Sequence, residues 1–189
     1  QFITHAYSDQ ITVVKKSDNN ICRSLDFLSS SVRFADLNNY KNLTQIRISK
    51  CNNLGSVQIS NMPNLKIVDL LDNRRLQSVE FINCPKLVTL DVGFCKSLKS
   101  LKGIETLEYL SAPSCSSLDS FVLPSNIVFL NLSRVPSIDP SLIIHNLHDL
   151  ECFVFTEIIF TCYINIFQKV NVAFNTFFDH LCIFKNDNF

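Results

Sequence analysis

Glycine is scarce in this chain of 189 residues, which contains only Gly55, Gly93 and Gly103. A phosphate-binding loop needs several glycines close together, so that backbone N–H groups can approach the phosphates. The wide spacing of these three therefore excludes a dinucleotide-binding fingerprint and a P-loop. The eight cysteines include no C-x-x-C pair, which excludes the spacing of a zinc knuckle.

Net charge and long apolar runs are also lacking. The 17 Lys and Arg residues balance 17 Asp and Glu residues, so the formal net charge is zero. Such a balance gives no overall attraction for nucleic acid or for anionic lipid. The most apolar stretch, residues 152–167, contains Glu157 and Asn165 and is shorter than the about 20 apolar residues of a spanning helix. We therefore expect no nucleic-acid partner and no membrane span.

The sequence does contain a repeat of eleven residues. Residues 43–53 read LTQIRISKCNN, and four further lines of eleven begin at Leu54, Leu65, Leu76 and Leu87. Because side chains of a strand alternate between its two faces, positions four and six would point inward and position five outward. Positions four and six are apolar in all five lines: Ile46 and Ile48, Val57 and Ile59, Val68 and Leu70, Val79 and Phe81, Leu90 and Val92.

This pattern, L-x-x-L-x-L-x-x-C/N-x-x, resembles the leucine-rich repeat family. One coil of that family has 20–29 residues, so two lines of eleven would make one coil of 22. The same register continues with coil heads at 43, 65, 87, 107, 127, 147 and 167, in steps of 22 and then 20. We predict a leucine-rich-repeat solenoid of about seven coils over residues 32–189. Residues 1–31 would form an N-terminal cap or the remnant of a preceding coil.

The resemblance implies a parallel β-sheet on the concave side of the solenoid. On the convex side we expect short extended or 3₁₀ segments and few or no long helices, because coils of this length leave little room. The second line of an early coil, such as residues 56–60, also has the pattern of a strand, which leaves open strands on both sides. The predicted parallel strands are residues 45–49, 67–71, 89–93, 109–113, 129–133, 149–153 and 169–173.

Cysteine and asparagine recur at position nine of the coils. In the family such a side chain points inward at a tight turn and bonds backbone groups; Val135 and Phe155 depart from this pattern. Most cysteines thus have a packing role, so we expect reduced thiols and a cytoplasmic protein. A disulfide between Cys95 and Cys115 in adjacent coils is the alternative.

The outward positions of the predicted strands carry the candidate binding residues. Acidic and polar residues form one ladder, and aliphatic and aromatic residues form a second ladder beside it. This combination is typical of a protein-binding surface, where aromatic anchors supply much of the binding energy. The predicted protein-binding residues are Arg47, Ile67, Asp69, Thr89, Asp91, Tyr109, Phe129, Asn131 and Glu151.

Catalytic and metal-binding motifs are weak. His145, His148 and Cys152 have a spacing that suggests a metal site, but the repeat turns Cys152 inward, so the three would not converge. No G-x-S-x-G motif is present. We therefore predict no enzyme activity, no metal ion and no cofactor, and a non-catalytic module that binds a protein on the concave sheet. The alternatives are a sensor or targeting segment of a larger signalling enzyme or receptor, and a surface adhesin.

Overall fold

Every regular element in the described part of the chain is a β-strand. The computed structural model describes residues 3–5, 13–14, 23–28, 32–119, 121–136, 152–155, 172–177 and 180–185. The strands are β1 (Ile3–His5), β2 (Val13–Val14), β3 (Ser24–Leu28), β4 (Phe34–Asn38), β5 (Gln45–Ser49), β6 (Ser56–Ser60), β7 (Ile67–Asp69), β8 (Ser78–Ile82), β9 (Thr89–Asp91), β10 (Ser100–Lys102), β11 (Tyr109–Ser111), β12 (Phe129–Asn131), β13 (Cys152–Phe155), β14 (Val172–Phe177) and β15 (His180–Lys185).

Successive lines of eleven contribute strands alternately to two sheets. The main sheet has the order β1-β3-β5-β7-β9-β11-β12-β13-β15-β14, and the opposite sheet has the order β10-β8-β6-β4-β2. Neighbouring strands pair in parallel from β1 to β13 in the main sheet and throughout the opposite sheet. Both sheets extend before residue 32, through β1, β2 and β3. The chain is therefore a parallel β-solenoid of about five turns.

The predicted strands 45–49 to 129–133 are confirmed as parallel neighbours, because β5, β7, β9, β11 and β12 follow one another in the main sheet. The alternative of strands on both sides is confirmed for the early coils, where the extended segments of the other side are the strands of the opposite sheet. There the second lines of eleven form β4, β6 and β8, each five residues long. These lines have the same alternation of apolar and polar residues as the first lines, so they form strands for the same reason.

The C-terminal strands depart from the prediction. Phe153, rather than Leu150, pairs with Leu130, so the register differs from that expected for residues 149–153. The strand predicted at residues 169–173 is not a parallel neighbour of β13, since β15 pairs antiparallel with β13 and β14 pairs antiparallel with β15. This part of the sequence is apolar at most positions. The alternation that fixes register elsewhere is therefore missing.

The core lies between the two sheets and consists of the repeating apolar positions. In β5, for example, Ile46 and Ile48 are buried while Arg47 between them is exposed. Leu70 and Leu90 are likewise fully buried. The predicted inward and outward positions are thus confirmed for the described coils. Each coil buries its apolar side chains against the next, which is how a solenoid obtains a continuous core.

A residue with positive φ follows most strands and turns the chain toward the other sheet. The next residue, at position nine, points inward and begins a tight turn, as where the Leu54 N–H donates to the Cys51 carbonyl at 3.0 Å. Val135 keeps this turn although its side chain has no polar atom, and it is fully buried. The residues with positive φ are Asn39, Lys50, Asn61, Asp72, Asn83, Phe94, Gly103, Ser114 and Arg134.

Asn73 is the inward polar side chain at one of these turns and is fully buried. Its Nδ2 donates to the carbonyl oxygens of Ile48 at 2.6 Å and Leu70 at 2.7 Å. Its Oδ1 accepts a hydrogen bond from the Cys51 N–H at 2.8 Å. One side chain thus provides hydrogen bonds to three buried backbone groups at the turn.

Cysteine takes the same role in other coils. Cys95 Sγ donates to the Leu70 carbonyl at 3.2 Å, and Cys115 Sγ donates to the Val92 carbonyl at 3.0 Å. Burial raises the pKa of the Cys115 thiol to about 12 and also raises that of Cys95, so both stay protonated and able to donate. The packing role is confirmed for the four cysteines whose side chains the structure describes, all of which are buried and outside any disulfide: Cys51, Cys84, Cys95 and Cys115.

The shortening of the coil from 22 to 20 residues takes place at Gly103. At the turns after the opposite-sheet strands, the residue with positive φ comes 22 positions after its equivalent in the preceding coil from Asn61 to Asn83. The step is only 20 positions from Asn83 to Gly103. The chain thus turns at Gly103, beside a position at which the neighbouring strand β8 has not yet ended. A Cβ at Gly103 would lie 2.8 Å from the carbonyl carbon of Phe81 and would overlap its oxygen. Only glycine fits this close approach of two backbones.

Candidate protein-binding surface

The outward side of the main sheet presents its side chains in columns, with one residue from each coil. Ile67 pairs with Thr89, Thr89 with Tyr109, and Tyr109 with Phe129. We call these four residues the apolar column. Glu151 lies outside the described residues. A second column runs beside the apolar column and is here called the charged column. It contains Asp26, Arg47, Asp69, Asp91, Ser111 and Asn131.

The apolar column combines exposed side chains with an aromatic stack. Ile67 and Tyr109 are 41% and 42% exposed, which is high for large apolar side chains on a regular sheet. The rings of Tyr109 and Phe129 stack with their centroids 6.4 Å apart and their planes at 25°. Thr89 lies between Ile67 and Tyr109 and is shorter than both. The column therefore has a low point at Thr89 and a rigid aromatic end.

Arg47 lies between two carboxylates of the charged column. Its Nε is 2.9 Å from Asp69 Oδ2, and its Nη1 is 4.0 Å from Asp26 Oδ2. The other carboxylate oxygen of Asp26 is buried and has no hydrogen-bond partner. Because Arg47 is exposed, these ion pairs contribute little to stability. Their main effect is to keep the only cation of the described column close to Asp69 and Asp26.

Three residues of the charged column also shape the strand ends. In each, a side-chain oxygen accepts a hydrogen bond from the N–H two residues further on, as short side chains often do at turns. From the sequence these residues are predicted only as protein-binding residues, and this turn-forming role is missed. Its signal was the recurrence of Asp or Asn at one position of the coil. The bonds join Asp69 to Leu71 at 3.0 Å, Asp91 to Gly93 at 2.8 Å and Asn131 to Ser133 at 3.1 Å.

Asp91 has no ion-pair partner within the described residues, unlike Asp69. Burial raises the pKa of Asp91 above its usual value of 3.8, and the nearby charge of Asp69 raises it further. Hydrogen bonds from the Gly93 N–H and the Ser111 hydroxyl act in the opposite direction but do not cancel the increase. Ionisation of Asp91 is therefore less favourable in the folded protein than for an exposed carboxyl.

Asp91→Asn should make the protein more stable at neutral pH. A carboxyl whose pKa is higher in the folded state binds protons more tightly there, so wild-type stability should fall as the pH increases from about 4 through the raised pKa. The asparagine Oδ1 can still accept the Gly93 N–H bond, and the amide does not ionise. Urea unfolding across this pH range measures the effect. Asp36→Asn, an exposed carboxyl on β4, is the control. A pH profile of Asp91→Asn identical to that of the wild type would contradict the assignment.

A second surface feature lies at the turns after the strands of the opposite sheet. Asn61 Nδ2 donates to Asn38 Oδ1 at 3.1 Å, and Asn83 Nδ2 donates to Asn61 Oδ1 at 2.9 Å. A shallow groove of about 580 Å³ runs along Asn39, Asn61 and Asn83. The amide groups of this ladder bond to one another across the coils, which stabilises their stacking.

The described residues include no group of three or more His, Cys, Asp or Glu side chains placed to hold a metal ion. His145 and His148, whose spacing in the sequence suggested a metal site, lie outside the described residues. A helix with the length and apolar character needed to cross a membrane is also missing from the described part of the chain.

Comparison with known proteins does not assign the chain to a family. No protein-family model matches the sequence. No curated protein matches it either. The coil geometry and the two outward columns are therefore the basis for a functional assignment.

Proposed function

We propose that the chain is a non-catalytic protein-binding module of the leucine-rich-repeat type, and that it binds its partner on the outward side of the main sheet. The coil of 22 residues, its buried apolar positions and its inward Asn or Cys at the turn support the family. The observation that carries the function is the apolar column, in which Ile67, Tyr109 and Phe129 are aligned directly beside the acidic and polar residues of the charged column. Interfaces combine aromatic anchors with a polar surround in this way.

The opposite sheet is a weaker candidate for the binding face. Its outward residues are mostly small or polar, as at Ser56, Ser78 and Ser100. Among the residues of this sheet whose exposure the structure describes, the exposed large apolar side chains are Phe34 on β4 and Ile82 on β8, and these strands are separated by β6. They therefore do not form a continuous patch, whereas the residues of the apolar column are direct neighbours.

The rigidity of the main sheet favours binding. Tyr109 and Phe129 are fixed by parallel pairing of β11 with β12 and by their ring stack, so little side-chain entropy is lost when a partner covers them. We further propose a reducing compartment such as the cytoplasm, because thiols that donate hydrogen bonds at the turns must stay reduced.

Tyr109→Ala and Phe129→Ala should each weaken binding of the partner by about 2 kcal/mol, roughly 30-fold, because large aromatic anchors near the centre of a patch carry energy of this order. Affinity purification with the full chain would identify the partner. Calorimetric titration of that partner into the wild type and both variants then gives the affinities, and thermal unfolding verifies that the variants are folded.

The matched controls for this experiment are Gln58→Ala and Glu80→Ala. Both residues are at outward positions of the opposite sheet, where their side chains bond to each other at 3.3 Å. We expect the controls to bind the partner as the wild type does. If they abolish binding while Tyr109→Ala and Phe129→Ala do not, the proposed face is wrong.

A further inference from the structure

We propose that the main sheet recognises an arginine side chain of the partner, which enters a notch centred on β9. The β9 notch consists of Ile67, Thr89, Asp91 and Tyr109. The inference rests on the proposed function, since it specifies the chemistry of the partner that covers this face. It commits to a protein segment with an exposed arginine.

The shape of the β9 notch fits one flat side chain. Thr89 pairs directly with Ile67 on one side and with Tyr109 on the other, and both neighbours extend further from the sheet. The two walls are two strand spacings apart, about 9.6 Å. Atoms in van der Waals contact lie about 3.5–4.0 Å apart, so a single planar group stacked on one wall fits above Thr89 between the two wall strands.

The charge of the β9 notch is negative and uncompensated. Asp91 follows Thr89 by two residues on the same strand, so its carboxylate lies at one end of the notch on the same face. A carboxylate offers about four acceptor sites, and the Gly93 N–H and the Ser111 hydroxyl are its two donors among the described residues. Acceptor capacity for an incoming cation therefore remains.

The cation already present on this face is engaged elsewhere. Arg47 bonds to Asp69 and lies near Asp26, one strand beyond the notch. The described charged column thus has three carboxylates against one guanidinium. The groups that face Asp91 from its neighbours are Asp69 on β7 and Ser111 and Tyr109 on β11, and none of them is a cation. A cation from the partner would add a second positive charge to the charged column and would favour the ionised form of Asp91.

Arginine fits the β9 notch better than lysine. Its guanidinium is planar, donates hydrogen bonds in a fixed fork to a carboxylate, and stacks on an aromatic face. Here the carboxylate of Asp91 is at the end of the notch, and the ring of Tyr109 forms a wall that Phe129 supports from behind at 6.4 Å. A lysine ammonium could satisfy the charge but would not use the aromatic wall as a planar group.

Short glycine peptides with one central arginine, lysine or citrulline test the inference. Citrulline keeps the planar shape of arginine without the charge. Each peptide is titrated into the full chain while NMR follows the Gly93 amide and the Tyr109 ring. We expect the arginine peptide to bind about tenfold more tightly than the citrulline peptide, with the lysine peptide between them. Equal affinities for all three peptides would overturn the inference.

Two variants test the notch from different sides. Asp91→Asn removes the charge but keeps an acceptor for the Gly93 N–H, and it should abolish the preference for arginine over citrulline. Thr89→Leu fills the notch without altering Asp91, and it should weaken arginine binding about tenfold. Asp36→Asn, on the opposite sheet, should leave binding unchanged. An arginine preference that survives in both Asp91→Asn and Thr89→Leu would place the arginine site elsewhere.

The result also distinguishes this inference from the proposed function. If the peptides show no arginine preference while Tyr109→Ala still weakens binding of the partner, only the arginine site is wrong. If Tyr109→Ala has no effect on the partner and the opposite-sheet variants abolish binding, the proposed binding face fails as well.

Discussion

Replacing Asn73 with alanine will lower the free energy of unfolding by about 2–6 kcal/mol. The substitution removes the hydrogen bonds of the Asn73 side chain to the buried Cys51 N–H and Ile48 carbonyl, whereas the Leu70 carbonyl still accepts from the Cys95 thiol. Each unpaired buried group costs about 1–3 kcal/mol. Because the side chain is fully buried, water cannot replace the lost hydrogen bonds without opening the turn. Urea unfolding of the full chain measures the loss.

Asn73→Cys is the matched control for this prediction. Cys95 and Cys115 hold the corresponding turns of the next coils with a thiol that donates to one carbonyl. A cysteine at position 73 should therefore recover part of the stability that alanine loses. The expected order of stability is wild type, then Asn73→Cys, then Asn73→Ala. Equal stabilities of the two variants would mean that a hydrogen-bond donor at position 73 does not stabilise this turn.

Gly103→Ala should be at least as damaging, with a loss above about 4 kcal/mol. The reason is the close approach of the Gly103 backbone to Phe81, where an added Cβ would overlap the carbonyl oxygen. Positive φ alone does not explain the effect, since Lys50 and Phe94 have it without being glycine. The clash is with backbone, which cannot move aside as a flexible side chain can.

Gly55→Ala is the control for this second prediction. A Cβ at Gly55 would lie 3.5 Å from the Arg33 carbonyl oxygen, which is an ordinary contact. We expect its stability to stay within about 1 kcal/mol of the wild type. Thermal and urea unfolding of both variants provide the comparison. If Gly103→Ala is as stable as Gly55→Ala, the shortened coil has another way to turn.

The sequence was sufficient to predict the strands and their neighbours between residues 43 and 131. Three apolar positions recur in each line of eleven, and a shift by one residue would turn all of them to the solvent. The same alternation in the second lines, such as residues 56–60, also indicated strands on both sides. The expectation of extended or 3₁₀ segments there came from the length of the coil, which leaves no room for a long helix.

The remaining features depend on contacts between coils. The turn-forming role of Asp69 and Asp91 and the desolvation of Asp91 arise only when neighbouring strands cover these side chains. The close contact of Gly103 with Phe81 likewise joins residues 22 positions apart. Near Phe153 the sequence is almost continuously apolar, so several registers bury similar surface and the pattern cannot choose among them.

The equivalence of the two halves of an early coil has a consequence for how such a chain can lengthen. A duplication of 22 residues would add one coil, extend both sheets by about 4.8 Å and leave every later residue on its original side. A duplication of eleven residues would pack almost as well, because both halves have the same apolar positions, but it would send each later line to the other sheet. Inserted before β7, it would move Ile67, Tyr109 and Phe129 to the other side of the molecule. Growth by half a coil would thus preserve the fold while moving the proposed binding residues to the opposite side of the molecule.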